Sequence, residues 1–248
     1  MSYGVFASFY DELTEDVRYD EYAEYLDKLI KKYSSDTKIV LDAACGTGNM
    51  TTRLAKMGYD MIGVDQSAEM LGFAREKSAD GILYLCQDLC ELDLFGTIDA
   101  CVCALDSFNH FDSVEKLQKA FEKISLFMND GGLFVFDLNT KYKHKEILAD
   151  NTFVYDFENI YCVWQNFYNE DDSSVDIELD FFEKDGEKYN RYFESFSEYW
   201  YCDETINELL EKSGFEKIDC FECLTFDKPK KDSERIVYTA RKNRWENL

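Results

Sequence analysis

An apolar run ends on a lone acid, Asp42, in "KIVLDAACGTGN" (38–49), and two glycines, Gly46 and Gly48, follow. Glycines after a strand let the backbone come close to a ligand. Dinucleotide folds use G-x-G-x-x-G there and seat a pyrophosphate on the helix N-terminus. Here Thr51 stands where the third glycine would be. A carboxylate beside such a loop repels a pyrophosphate and favours a cationic ammonium. A second apolar run, "DMIGVD", ends on Asp65, followed by Gln66; that acid suits two ribose hydroxyls. A third run ends Gln87-Asp88-Leu89, a set able to pair an adenine amino group and cover its ring. The implied ligand carries an α-amino group, a ribose and an adenine, and no phosphate.

The elements that must position these residues are legible as alternating periods. "DEYAEYLDKLIKK" (20–32) places Tyr22, Tyr25, Leu26 and Leu29 at helical spacing, with lysines toward its C-terminal end. Strands are expected at 38–42, 60–65, 82–88, 98–105 and 133–139, and helices at about 49–57, from an N-cap at Ser67 with Met70 in its first turn, and at 113–128, stopped by "NDGG". This alternation predicts an α/β fold with a doubly wound parallel sheet, its strands near-continuously apolar because helices cover both faces. From about 150 the pattern becomes aromatic-rich with partial alternation, and Asp185-Gly186 is a hairpin signal. Residues 150–200 therefore read as inserted antiparallel strands. A helix over 203–215, with Gly214 at its C-cap, and two further strands close the chain.

S-adenosylmethionine (SAM) fits the ligand, and at this point the sequence resembles the class I SAM-dependent methyltransferases. Their first motif, D-x-G-x-G-x-G, is matched by Asp42 to Gly48 except that Ala44 replaces the first glycine. The opening "FASFYDEL" is similar to the F-A-x-x-Y-D start of a bacterial subgroup whose tyrosine caps the SAM site; Tyr10 is that match. The resemblance implies a seven-stranded, mostly parallel, Rossmann-like sheet with an antiparallel last strand. Residues 1–149 plus 201–248 would form the SAM-binding core, and 150–200 an antiparallel lid or a dimer surface. It implies SAM as methyl donor and S-adenosyl-L-homocysteine as product. By position, Ala44, Gly46 and Gly48 pass the methionine moiety and Asp42 reaches its amino group. Asp65 and Gln66 meet the ribose, with Met70 near the adenine and Asp88 and Leu89 at the adenine edge. Ala104 and Leu105 line the methyl side.

A sulfonium already activates its methyl group, so an in-line displacement needs positioning and exclusion of water more than covalent help. The candidates for handling the acceptor lie in "LDSFNHF" (105–111), beyond the fourth strand: Asp106 or His110 orients or deprotonates it, or the loop is merely capped. No D/N-P-P-Y run signals an exocyclic amine as acceptor. Two other classes stay open: a non-catalytic SAM-binding module, and a nicotinamide-dependent oxidoreductase, against which Asp42 and the missing third glycine count.

With 27 basic and 51 acidic residues the net charge is −24, which repels polyanions at long range. Nucleic acid is thus disfavoured; a small-molecule acceptor is favoured, with a basic protein as second choice. The lysine clusters 141–145 and 228–231 read as solvated loop charge. The nine cysteines lie mostly in apolar runs; Cys220 and Cys223 make a lone C-x2-C, and no second pair has zinc-site spacing, so no metal is expected. Buried free thiols, an N-terminus without signal-peptide character and no apolar stretch of ~18 residues make the cytoplasm the expected compartment and exclude a helical membrane span.

Overall fold

Apolar runs and amphipathic segments alternate along the first half of the chain, and the computed structural model, which describes residues 4–78 and 81–244, turns them into one wound sheet. Helices α1 (Gly4–Leu13) and α2 (Tyr19–Tyr33) precede β1 (Ile39–Ala43), α3 (Asn49–Lys56), β2 (Asp60–Asp65), α4 (Ala68–Lys77), β3 (Leu83–Cys86), β4 (Ile98–Cys103), α5 (Val114–Phe127) and β5 (Met128–Asn139). An antiparallel set follows: β6 (Thr152–Asp156), β7 (Ile160–Asn169), β8 (Ser174–Asp185) and β9 (Lys188–Tyr199). Helix α6 (Asp203–Lys212), β10 (Phe215–Glu222) and β11 (Arg235–Lys242) complete the fold.

The main sheet has seven strands in the order β10-β11-β5-β4-β1-β2-β3. Pairing is parallel from β5 through β3, and β11 runs antiparallel to both neighbours. Successive residues alternate between two buried faces. Val40, Val102, Leu133 and Val135 meet α2 and α3 on one side; Leu41, Cys101, Cys103, Phe134 and Phe136 meet α5 and α6 on the other. Each such side chain contributes ~1.5–3 kcal/mol by burial, which is why the strands read as unbroken apolar runs. The α/β, mostly parallel seven-stranded expectation is borne out.

The antiparallel set forms its own four-stranded sheet, β6-β7-β8-β9, with the hairpin at Gly186 where Asp185 pairs with Lys188. Its inner face, including Cys162, Val175, Ile177, Leu179 and Phe181, packs on Phe6, Phe9 and Leu13 of α1 and on Met70 of α4. Phe9 stacks on Phe181 at 5.8 Å. Its outer face leaves Phe167, Tyr189 and Phe193 exposed.

The structure corrects several boundaries. β5 begins at Met128, not 133, because Met128 already pairs with Ile98 and the glycines of "NDGG" are carried in the strand's irregular start. β3 and β4 are shorter than expected, since the chain turns after Cys86 and after Cys103 to build the ligand-facing loops. α1 had no sequence signal of its own; it is a helix because the inserted sheet gives its apolar face a partner. Residues 1–3 and 245–248, which fall within the expected core range, lie outside the described residues.

Candidate functional site

From β1 the chain winds outward through β2 and β3, and after β3 it crosses back to β4 on the other side of β1. The carboxyl ends of β1 and β4 therefore flank the crevice where open α/β sheets bind ligands. A small pocket occupies it. Of the sequence-predicted residues it gathers Tyr10, Asp42, Ala44, Gly46, Ala104 and Leu105. Tyr19, Cys45, Thr47, Asn49, Met50 and Ser107 complete the wall and were not anticipated. A larger depression, near 480 Å³, lies at the β6–β7 turn beside Phe157 and Tyr189 and contains none of the predicted residues.

The loop between β1 and α3 is built from left-handed backbone. Gly46 has φ +53° and Gly48 φ +74°, and a Cβ at Gly48 would sit 2.6 Å from the Tyr84 hydroxyl oxygen. Ala44, at the position where the motif has glycine, also adopts φ +59°, a conformation that costs a residue with a Cβ of order 1–2 kcal/mol. The N–H of Gly46 donates to Asp65 Oδ2 at 2.8 Å, and that of Ser67 to Oδ1 at 2.9 Å. The second strand's acid is thereby fixed against the glycine loop, with acceptor capacity left over for a hydroxyl. Burial raises the Asp65 carboxyl above its usual range despite these donors.

Asp42 is 2% exposed, and Thr51 Oγ donates to its Oδ2 at 2.5 Å. Burial pushes its carboxyl up to about 7, with the Thr51 hydrogen bonds opposing. Thr51, which stands where a dinucleotide fold has its third glycine, is thus the side chain that orients the acid. Asp11 explains the residue after Tyr10 in the opening motif: it accepts from Thr47 Oγ at 2.6 Å and Asn49 Nδ2 at 2.8 Å and pairs with Lys77 at 2.5 Å. These bonds clamp α1 onto the glycine loop and bring Tyr10 to the pocket. Burial, then Tyr19 and Asp106 nearby, hold the Tyr10 phenol well above its ordinary range.

Gly48, Asp65, Gln66, Met70, Asp88 and Leu89 are not in the pocket wall. Met70 is buried between α4, α1 and the inserted sheet, its N–H capped by Ser67 Oγ at 3.1 Å. Asp88 caps a 3-10 turn by accepting from the Cys90 N–H at 2.8 Å, and the Leu89 side chain is in the core. The Gln66 carbonyl accepts from the Cys86 thiol.

Beyond β4, Leu105 and Asp106 both adopt positive φ, +60° and +55°. Asp137, 1% exposed on β5, holds that turn: its carboxylate accepts from the N–H of Leu105 at 2.8 Å and of Asp106 at 2.7 Å, and from the Tyr22 hydroxyl. Arg235 on β11 reaches both Asp137 at 3.2 Å and Asp106 at 3.0 Å. Burial is the largest influence on the Asp106 carboxyl and works against its charge, but Arg235, Lys143, His110 and the Asn139 hydrogen bond together outweigh it and hold the carboxyl below its usual range. Asp106 is therefore unsuited to the proton-accepting half of its expected role and suited to the orienting half. His110, on the 3-10 turn Ser107–His110, lies edge-on to Phe196 of β9 at 5.3 Å, and its Nδ1 is buried without a hydrogen-bond partner among the described residues.

The donor set fits SAM. Asp42 offers an anion for an ammonium, Asp65 offers acceptors for ribose hydroxyls, and no lysine or arginine is among the described pocket residues to neutralise a phosphate. No cluster of metal-ligating side chains exists among the described residues.

Comparison with known proteins agrees with this geometry. Residues 40–132 match the methyltransferase domain family. The chain is 33% identical to YqeM of Bacillus subtilis (strain 168), named as a methyltransferase, over 98% of each chain. It is 26% identical to the glycine/sarcosine N-methyltransferase of Halorhodospira halochloris, over 82% of this chain and 75% of that one. Among solved structures, an S-adenosylmethionine-dependent methyltransferase from Clostridium acetobutylicum ATCC 824 superposes with a TM-score of 0.86 at 31% identity, covering 98% of this chain and 99% of that one. With the acid-tipped strands, the glycine turn and full-length relatives in agreement, the chain belongs to the class I SAM-dependent methyltransferases.

Proposed function

We propose that this enzyme methylates a nitrogen or oxygen nucleophile on a small molecule by in-line displacement, with the acceptor entering between the turn after β4 and the inserted sheet. Bound SAM supplies a methyl carbon made electrophilic by its sulfonium. The chain's own residues do the rest. Asp42 holds the amino group, the Ala44–Gly48 turn passes the methionine backbone, and Asp65 with Gln66 holds the ribose. Met70, Asp88 and Leu89 form the adenine side, and Ala104 and Leu105 the methyl side. Tyr10, carried in by α1, closes the pocket. Asp106 orients the acceptor and His110 takes its proton where it arrives protonated. The inserted sheet serves as a lid, supported by its inner face packing directly on the helix that carries Tyr10.

The observation that carries this reading is a buried carboxylate at the switch-point crevice, in a pocket whose described lining has no basic side chain. The Halorhodospira relative's name supports a nitrogen on a small molecule. A cytoplasmic setting is supported by nine cysteines that are all free; no described helix is long and apolar enough to cross a membrane. The decisive experiment is calorimetry of SAM and S-adenosylhomocysteine on the wild type and Asp42→Asn, followed by an S-adenosylhomocysteine-release assay over small amines and alcohols. Micromolar binding in the wild type that is lost in the variant is expected. A wild type indifferent to both compounds would end the proposal.

A further inference from the structure

Behind the turn after β4 lies a buried polar cluster that the donor pocket does not use. Asn139, 2% exposed at the end of β5, donates its Nδ2 to two carboxylates: Asp106 Oδ2 at 2.5 Å and Glu198 Oε2 at 2.8 Å. Two anions on one amide nitrogen fix the amide's orientation, since its oxygen cannot take their place. Asn139 Oδ1 is then left buried without a hydrogen-bond partner among the described residues, as are His110 Nδ1 on the adjoining turn and His144 Nε2. Glu198, 5% exposed, comes from β9 of the inserted sheet and faces His144 Nε2 at 3.3 Å. His144 Nδ1 in turn meets the Ser173 carbonyl at 3.3 Å.

Two features of this cluster point to one kind of occupant. The unmet hydrogen-bonding capacity includes an amide oxygen and a ring nitrogen, and two carboxylates stand beside it; what is missing is donors. Charge is also concentrated: Arg235 pairs with both Asp106 and Asp137, with Lys143 and His110 also acting on Asp106, while Glu198 has the Asn139 amide and the His144 ring beside it. Leaving a buried acceptor unpaired is costly, more so beside anions, so a site of this make-up rewards a ligand that is cationic and rich in N–H groups. The cluster also adjoins the donor pocket: Asp106 and His110 share one turn with Ala104, Leu105 and Ser107 of the pocket wall.

We infer that Asn139, Glu198 and His110 form the acceptor subsite, and that it takes a primary or secondary amine on a small polar molecule. The inference rests on the proposed methyl transfer and narrows it. Asn139 Oδ1 and the Glu198 carboxylate receive the ammonium N–H groups, and His110 Nδ1 accepts the one proton the ammonium must lose to expose its lone pair. An alcohol has one donor and no charge, and satisfies the cluster poorly.

The chain has only two histidines, and both sit here, so proton NMR of their ring Cε1–H signals reads the subsite directly. Assignment uses H110Q and H144Q. With the protein saturated with S-adenosylhomocysteine, methylammonium chloride and glucosamine hydrochloride are titrated against methanol and glucose at constant pH and ionic strength. The amines are expected to shift the His110 signal saturably and the neutral partners to leave it in place, with the amine affinity weakened at least tenfold in E198Q. Equal response to methanol or glucose, no response to either amine, or an amine affinity unchanged in E198Q would overturn the inference. Calorimetry on the same samples separates the two levels. Intact S-adenosylhomocysteine binding with an amine-blind His110 rejects the subsite alone, and failure of the wild type to bind S-adenosylhomocysteine rejects both readings.

Discussion

Asp42 sets binding against stability within one side chain. Its carboxyl rises from 3.8 to about 7 because the pocket removes it from water. A raised carboxyl contributes stability that is fully present below the unfolded value near 4 and is lost as pH rises to 7; above that the buried charge is a constant burden. A shift of this size corresponds to a few kcal/mol at about 1.4 kcal/mol per pH unit. Asp42→Asn is therefore expected to raise the ligand-free melting temperature at pH 8 by several degrees while weakening SAM at least tenfold, measured by scanning calorimetry and titration on the same preparation. In the wild type, SAM affinity should rise between pH 6 and 8 as the free carboxyl ionises. Ala44 holds a smaller strain at φ +59°. Ala44→Gly relieves it but adds backbone entropy to the unfolded chain, so the net gain should be about 1 kcal/mol or less, read by urea denaturation, with SAM affinity unchanged within twofold.

Among the elements, the strand β5 carries the two residues that shape the acceptor side, Asp137 and Asn139, on one face two positions apart. Asp137 stabilises two consecutive left-handed residues by accepting both their N–H groups, and Tyr22 on α2, the helix covering that face, braces it. Tyr22→Phe removes that brace. It should cost ~1–2 kcal/mol of stability and lower kcat more than it weakens SAM, because Leu105 and Asp106 lose their fixed position while the glycine loop is untouched. The wound sheet was legible because strands covered on both faces are apolar throughout, and the donor site because its acids stand at strand ends beside a glycine turn. The acceptor side was not. Glu198 and Asn139 are 59 positions apart, and Arg235 reaches Asp106 across 129, distances no local spacing records. α1 was missed for a related reason: its partner, the inner face of β6–β9, lies more than a hundred residues downstream.

Taken as a molecule, the enzyme sets two sheets against each other with α1 and α4 between them, so substitutions on the two faces of the inserted sheet should part company. Phe181→Ala, on the inner face, removes the ring stacked on Phe9 and should cost ~3–5 kcal/mol and weaken SAM several-fold through α1 and Tyr10. Phe193→Ser, on the outer face, where the ring is 53% exposed, should leave SAM binding unchanged; gel filtration of the same variant reports whether that face joins two copies. The net charge of −24 adds a long-range preference for cations that salt should erode, so an amine acceptor's apparent KM is expected to rise between 20 and 200 mM salt, on the order of a tenfold range in ionic strength. The inserted sheet leaves and rejoins the core at nearly one spot: Asn139 bonds Glu198, and Asn109 donates to the Tyr199 carbonyl at 2.8 Å. An excursion whose two ends are already knotted together can be exchanged as a cassette. Related enzymes could trade this piece to acquire new substrates while inheriting the same methyl-donor machinery unaltered.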